Sequence, residues 1–142
     1  MRHFSTTALP VSYEGSLTAE SPALVEIDDD LWMLLAPFSY TKDDGTTYTA
    51  PAGMTTDLAS IPKPLWNVMP PFGRYIGAAV IHDFLYQTQP CTKEEADHVL
   101  AEAMDCAGVD HKTRMLIYDG VKFGGQASWD HHTAEIIGSR SA

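Results

Sequence analysis

Three ionisable side chains lie close together in the chain. His82 and Asp83 sit inside the otherwise apolar stretch A-A-V-I-H-D-F-L-Y-Q, residues 78–87, and Asp97 follows fifteen positions after His82. A histidine held by a carboxylate keeps one ring nitrogen for accepting a proton, which is the arrangement of a general base that activates water or a hydroxyl. A second carboxylate beside it could hold a cation that stabilises a developing oxyanion. The competing interpretation is structural: His82 and Asp97 bridge two helices, and Asp83 faces solvent.

Helical elements must position these groups. Residues i and i+4 of a helix share a face, so His82 aligns with Ala78 and Tyr86. Asp83 is rotated by about 100° and aligns with Ala79. The two alanines, one turn before each polar residue, are expected to leave room for an approaching group. Apolar positions repeat at helical spacing over about 73–88, and a break near Thr88 to Pro90 follows. Thr92-Lys93-Glu94-Glu95 reads as a capping box, with Thr92 accepting from the N3 amide and Glu95 reaching back. The helix it opens, about 93–107, ends at Gly108. Asp97 falls on its inward side with Leu100, Ala101 and Met104. Two helices joined by so few residues are antiparallel neighbours, which brings Asp97 within reach of the His82 ring. Asp110 caps a third helix that stops at Gly124-Gly125. The tail, residues 126–142, has no clear period.

The N-terminal part, about 1–60, is strand-like. L-T-A-E-S-P-A-L-V-E-I alternates, L-W-M-L-L-A-P-F-S-Y is apolar and aromatic, and Asp43-Asp44-Gly45 before T-T-Y-T-A predicts a hairpin. Asp28-Asp29-Asp30 reads as a solvated turn. Between the halves, about 51–72, five prolines (Pro51, Pro62, Pro64, Pro70, Pro71) forbid regular structure. Leu, Ile, Met and Trp in the same segment make it a wall beside the core. The fold class is therefore α+β: a β-rich N-terminal half of hairpins packed on a C-terminal bundle of about three helices, 73–125, in one domain spanning 1–142.

Composition bounds the partners. The net charge is −10 with only nine scattered Lys and Arg, which argues against a nucleic-acid partner. No apolar run reaches the length of a transmembrane helix. The N-terminus M-R-H-F-S-T-T-A-L-P lacks the apolar region of a secretory signal, so a host cytoplasm is the expected location, with a virus particle as one route out. Cys91 and Cys106 lack metal-site spacing and read as free thiols.

Longer strings carry a resemblance. P-A-G-M-T-T-D-L-A-S-I-P-K-P-L-W, then P-P-F-G-R-Y-I-G-A-A-V-I-H-D-F-L-Y, then E-E-A-D, together resemble the phage-encoded family catalogued as domain of unknown function 1353, over about 31–125. A more local resemblance ties H-D-F-L-Y and the later Asp97 to phospholipase A2, whose H-D-x-x-Y helix is followed by an antiparallel helix with an aspartate. That resemblance implies His82 as general base against an ester carbonyl, Asp97 as its orienter and Tyr86 as support for Asp97. It implies Asp83 as a ligand of calcium, with zinc as the alternative metal. The glycine-rich loop that completes the calcium site in those enzymes is absent here. Asp57 is the residue that could take its place, with Thr56 and Ser60 as further candidates in the same segment. Asp57 and Ser60 could equally be local caps.

Asp130-His131-His132 could ligate a transition metal together with His82 or Asp97, although a tail His-His pair is more often exposed. Trp66 and Trp129 could line an apolar groove. Three functions follow. The first is a phage-encoded hydrolase acting on an ester, a lipid or the host envelope. The second is a non-catalytic virion or tail-associated protein bound to other phage proteins. The third is a host-interaction protein working through its acidic surface.

Overall fold

The computed structural model describes residues 2–6, 21–58, 61–62, 64–65 and 75–141. Six strands precede four helices among them: β1 (His3–Thr6), β2 (Leu24–Asp28), β3 (Leu31–Leu34), β4 (Phe38–Thr41), β5 (Thr47–Ala50), β6 (Thr55–Thr56), α1 (Ile76–Thr88), α2 (Lys93–Cys106), α3 (His111–Gly124) and α4 (Gln126–Ser141). This is the expected α+β arrangement.

The strands form two antiparallel three-stranded sheets, ordered β1-β4-β5 and β2-β3-β6. Alternation sets the faces of β4: Phe38 and Tyr40 are fully buried, while Ser39 and Thr41 pair across the strand with Thr49 and Thr47 at 2.7 and 3.0 Å. The β4–β5 hairpin turns at Asp43-Asp44-Gly45, where Gly45 takes φ 89° and Asp44 accepts from the Thr46 amide. The acidic run turns β2 into β3, with a register shift between Glu26 and Asp28.

α1 is the hub of the molecule. Seven consecutive residues, Gly77 to Asp83, are buried on it, because it packs on β4 and β5 at one side and on α2 and α4 at others. Gly77 permits a close approach to the sheet: a Cβ there would lie 3.1 Å from the Phe38 ring. Ala78 and Ala79 are also core residues, 0 and 2% exposed. The small side chains thus admit packed neighbours, where the sequence suggested room for an approaching group.

Caps mark the helix ends as expected, with one difference. Thr92 accepts from the Glu95 amide, and Asp110 accepts from the Thr113 amide. Glu95 does not reach back; its carboxylate takes an ion pair from Lys42 on the hairpin at 2.6 Å, a stronger partner than a helix-end amide. The tail corrects the sequence reading more fully. Residues 126–141 form α4, a fourth helix packed on α1 and α3. Of the proline-rich segment, Ser60, Trp66, Pro70 and Pro71 lie outside the described residues.

Candidate catalytic centre

α1 and α2 run side by side and close a hydrogen-bond cluster between them. His82 is fully buried, and Nε2 lies 2.8 Å from Asp97 Oδ1. The Tyr86 hydroxyl, one turn on from His82, donates to the same oxygen at 2.7 Å. Its ring stands 4.4 Å, centroid to centroid, from the imidazole. Lys93 occupies the second carboxylate oxygen, with Nζ 2.8 Å from Asp97 Oδ2. Lys93 also donates to the Val121 and Lys122 carbonyls at 3.1 and 3.2 Å, which ties the cluster to the end of α3.

These partners fix protonation. Burial pushes the Asp97 carboxyl upward, but hydrogen bonds from His82, Lys93 and Tyr86 outweigh it and hold Asp97 below the usual carboxylate range. An ionised Asp97 accepts and cannot donate, so the His82 ring places a hydrogen on Nε2 toward it. Burial first, then the bond to Asp97, pushes the Tyr86 hydroxyl well above its ordinary value.

Packing holds Tyr86 in place. The Trp129 ring meets it edge-on at 5.1 Å. Gly125, between α3 and α4, lies so close that a Cβ there would come within 2.6 Å of the Tyr86 oxygen. Gln89 closes α1 in a left-handed conformation, φ 48°, and its side chain donates to the Trp129 carbonyl at 2.9 Å.

Asp83, about 100° round α1 from His82, turns to β6 instead of α2. It is 1% exposed, which overturns the alternative of a solvent-facing Asp83. Its Oδ2 accepts from the Thr56 hydroxyl on β6 and from Gln87 Nε2, the latter at 2.8 Å. Gln87 also donates to the Thr55 carbonyl at 2.8 Å. Thr56 in turn accepts from the Leu58 amide, within a turn where Leu58 has φ 59°, a conformation that costs a branched side chain of order 1–3 kcal/mol. Asp57 is exposed at that turn and borders a cleft, lined also by Gln87, His131, His132 and Glu135.

The structure thus unites His82, Asp97 and Tyr86, and separately unites Asp83 with Thr56. It does not unite Asp130, His131 and His132 with His82. Asp130 accepts from Gln126, and both histidines turn to Glu135 because i+3 and i+4 are the nearest positions on a helix. Among the described residues no three His, Cys, Asp or Glu side chains converge as a metal-binding group. Sequence reasoning missed Lys93 and Gln87, although each stands four residues from the aspartate it contacts, a readable helical pairing. It also missed Gly125, whose role depends on a tertiary approach.

Comparison with known proteins adds the following. A family model described as "Protein of unknown function (DUF1353)" matches residues 32–121. The chain is similar to "Uncharacterized protein y4jT" of Sinorhizobium fredii (strain NBRC 101917 / NGR234), 33% identical over 96 residues. That stretch covers 64% of this chain and 29% of the relative, so the match spans less than a third of the relative's length. No solved structure matches.

Proposed function

From the premise that the chain belongs to the DUF1353 family, we propose that it is a hydrolase of ester bonds, acting on lipid or another component of a host envelope, with His82 as general base. The observation that supports this reading is the His82–Asp97 contact: Nε2 lies 2.8 Å from a buried carboxylate that orients the ring, and the proposed proton transfer uses the other nitrogen, Nδ1. In the step, a water gives its proton to Nδ1 as its oxygen adds to the ester carbonyl. The tetrahedral adduct then collapses, and the expelled alkoxide takes the proton back from His82. Asp97, held by Tyr86 and Lys93, steadies the ring and the transient imidazolium.

Calcium, or zinc in its place, would supply oxyanion stabilisation if Asp83 and Asp57 held it. The donor set around Asp83 fits poorly. The Thr56 hydroxyl and the Gln87 amide both direct hydrogens at Oδ2, whereas calcium needs six to eight oxygen ligands. Adding calcium or zinc should leave the melting temperature unchanged, because only a ligand that favours the native state raises it. A rise in wild type that Asp83→Ala abolishes would restore the metal-assisted centre.

Turnover of p-nitrophenyl esters and of phospholipid vesicles, by wild type and His82→Gln, tests the reading itself. Loss of a general base costs about 10²–10⁴-fold in rate. A folded His82→Gln protein with undiminished turnover, or a wild type without turnover, would sink it. A second reading rests on burial: His82, Asp83 and Asp97 are at most 2% exposed, as befits an inter-helix bridge in a non-catalytic protein. Such a protein would be a virion or tail component, or would contact a host protein. It predicts that His82→Gln lowers stability and that no substrate is turned over.

A further inference from the structure

His82 and Asp97 are sealed, at 0 and 2% exposure, so an ester could reach them only after something moves. The helices around them differ in what moving would cost. α1, α2 and α3 each bury residues in the core, down to Ile117 and Val121 on α3. On α4, residues 126–140 are half-buried or exposed throughout. Elements that bury little are the ones that open locally while the rest of the fold stays intact. α4 also borders open space: Ala127, Ser128 and His131 line a cleft of about 620 Å³ beside Thr55 and Gln87, where no packed side chains stand in the way.

What α4 covers is the cluster itself. Its Trp129 ring lies edge-on against Tyr86 at 5.1 Å, and Gly125 at its base sits over the Tyr86 hydroxyl that donates to Asp97. Tyr86 in turn lies against the His82 ring. The fastening is small and local. Gln89, at the end of α1, donates through Nε2 to the Trp129 carbonyl and accepts through Oε1 from the Thr133 hydroxyl, both at 2.9 Å. One side chain thus ties two positions of α4, one turn apart, to α1. A neutral hydrogen bond of this kind is worth roughly a 2- to 10-fold factor in an equilibrium. At its base, Gly124-Gly125 joins α3 to α4, and two glycines in succession let the backbone rotate there at little steric cost. We propose that α4 is a lid: it swings at Gly124-Gly125, is latched by Gln89, and uncovers Tyr86 and His82 when it opens. The need for an opening rests on the hydrolase reading, in which a lid admits substrate and then excludes water; the motion itself is read without turnover.

Amide hydrogen exchange and histidine labelling of the full chain, wild type and Gln89→Gly, test this. Glycine keeps the left-handed conformation that Gln89 takes at the end of α1, φ 48°, and removes both hydrogen bonds to α4. In wild type, the α4 amides from Trp129 to Ile136 should exchange faster than the α2 amides from Val99 to Ala103. In Gln89→Gly they should exchange about tenfold faster again, with α2 unchanged. Diethyl pyrocarbonate, which acylates a neutral imidazole, should label His82 about tenfold faster in the variant, measured against the exposed His98 in the same sample. α4 amides that keep pace with α2 in both proteins would overturn the lid, since the helix would then open only with the whole fold. Faster α4 exchange with unchanged labelling of His82 would overturn it too, since the opening would not reach the centre. The two readings fall separately. An α4 that opens over a labelled His82 without ester turnover keeps the lid and loses the hydrolase, and turnover with α4 held to the pace of α2 does the reverse.

Discussion

Asp97 accepts three hydrogen bonds on two oxygens while 2% exposed. Its neutral isostere cannot do this. In Asp97→Asn the amide nitrogen must face either the Lys93 ammonium or the His82 and Tyr86 donors. Breaking a buried pair by removing one charge costs about 3–5 kcal/mol, so urea unfolding of Asp97→Asn should show a loss of that order. The pH dependence has a definite sign. Asp97 titrates lower folded than unfolded, so its contribution is present above the unfolded value of about 3.9 and vanishes as pH falls through the folded value. Asp97→Asn should therefore show a flatter loss of stability below about pH 4 than wild type. A wild type and variant with the same acid slope would show that Asp97 is not the group being protonated. His82 and Tyr86 were legible in the sequence because helical spacing aligns them, and Asp97 because a short connection makes the two helices antiparallel neighbours; the contact of Tyr86 with Asp97 was implied only by the resemblance to phospholipase A2. Lys93 was legible in principle from i,i+4 pairing. The destination of Asp83 was not, since its Thr56 partner arrives from a strand 27 positions away.

At the scale of elements, glycines separate the helices that hold the site from those that merely cover it. In Gly125→Ala the new Cβ would lie 2.6 Å from both the Tyr86 hydroxyl and the Val121 carbonyl. One of these must move, and overpacking of this kind costs about 1–3 kcal/mol. We expect Tyr86 to swing off Asp97, seen as a fall in stability that Tyr86→Phe shares and that the two changes together do not double. Gly138 in α4 meets nothing within 4 Å. Gly138→Ala should therefore raise stability by about 0.5–1 kcal/mol through helix propensity, measured by the same unfolding curves. If Gly125→Ala were neutral, the close approach of the α3–α4 junction to Tyr86 would carry no constraint. Helices α1, α2 and α3 announced themselves through apolar period and the caps Thr92, Asp110 and Gly108. α4 did not, because its anchors are single contacts: the Trp129 edge on Tyr86, and the Thr133 hydroxyl to Gln89 at 2.9 Å. A helix held by a few tertiary contacts and no continuous apolar stripe leaves little period to read. The D-G hairpin was legible for the opposite reason, since Gly45 carries its positive φ locally.

Across the whole molecule, the buried hydroxyls set an alkaline limit that mirrors the acid one. Tyr40 and Tyr86 are both fully buried, one donating to Glu102 at 3.1 Å and the other to Asp97. Burial first, then a neighbouring carboxylate, pushes each above the ordinary tyrosine value. A phenol whose folded value is raised contributes stability that is complete below the unfolded value of about 10 and is lost as pH rises beyond it. The net charge of −10 works in the same direction, because self-repulsion grows as further groups ionise. Melting temperature against pH should thus form a plateau that falls below about pH 4 and again above about pH 10. Tyr86→Phe should lower the plateau, through the lost bond to Asp97, yet shrink the alkaline fall. Tyr40→Phe should do the same from the sheet side, and the two effects should add, since the residues contact different carboxylates. Added salt separates the causes: it screens self-repulsion and leaves the cost of ionising a buried phenol in place. An alkaline fall that salt removes entirely, and that neither phenylalanine variant alters, would assign the limit to net charge and release both tyrosines from it.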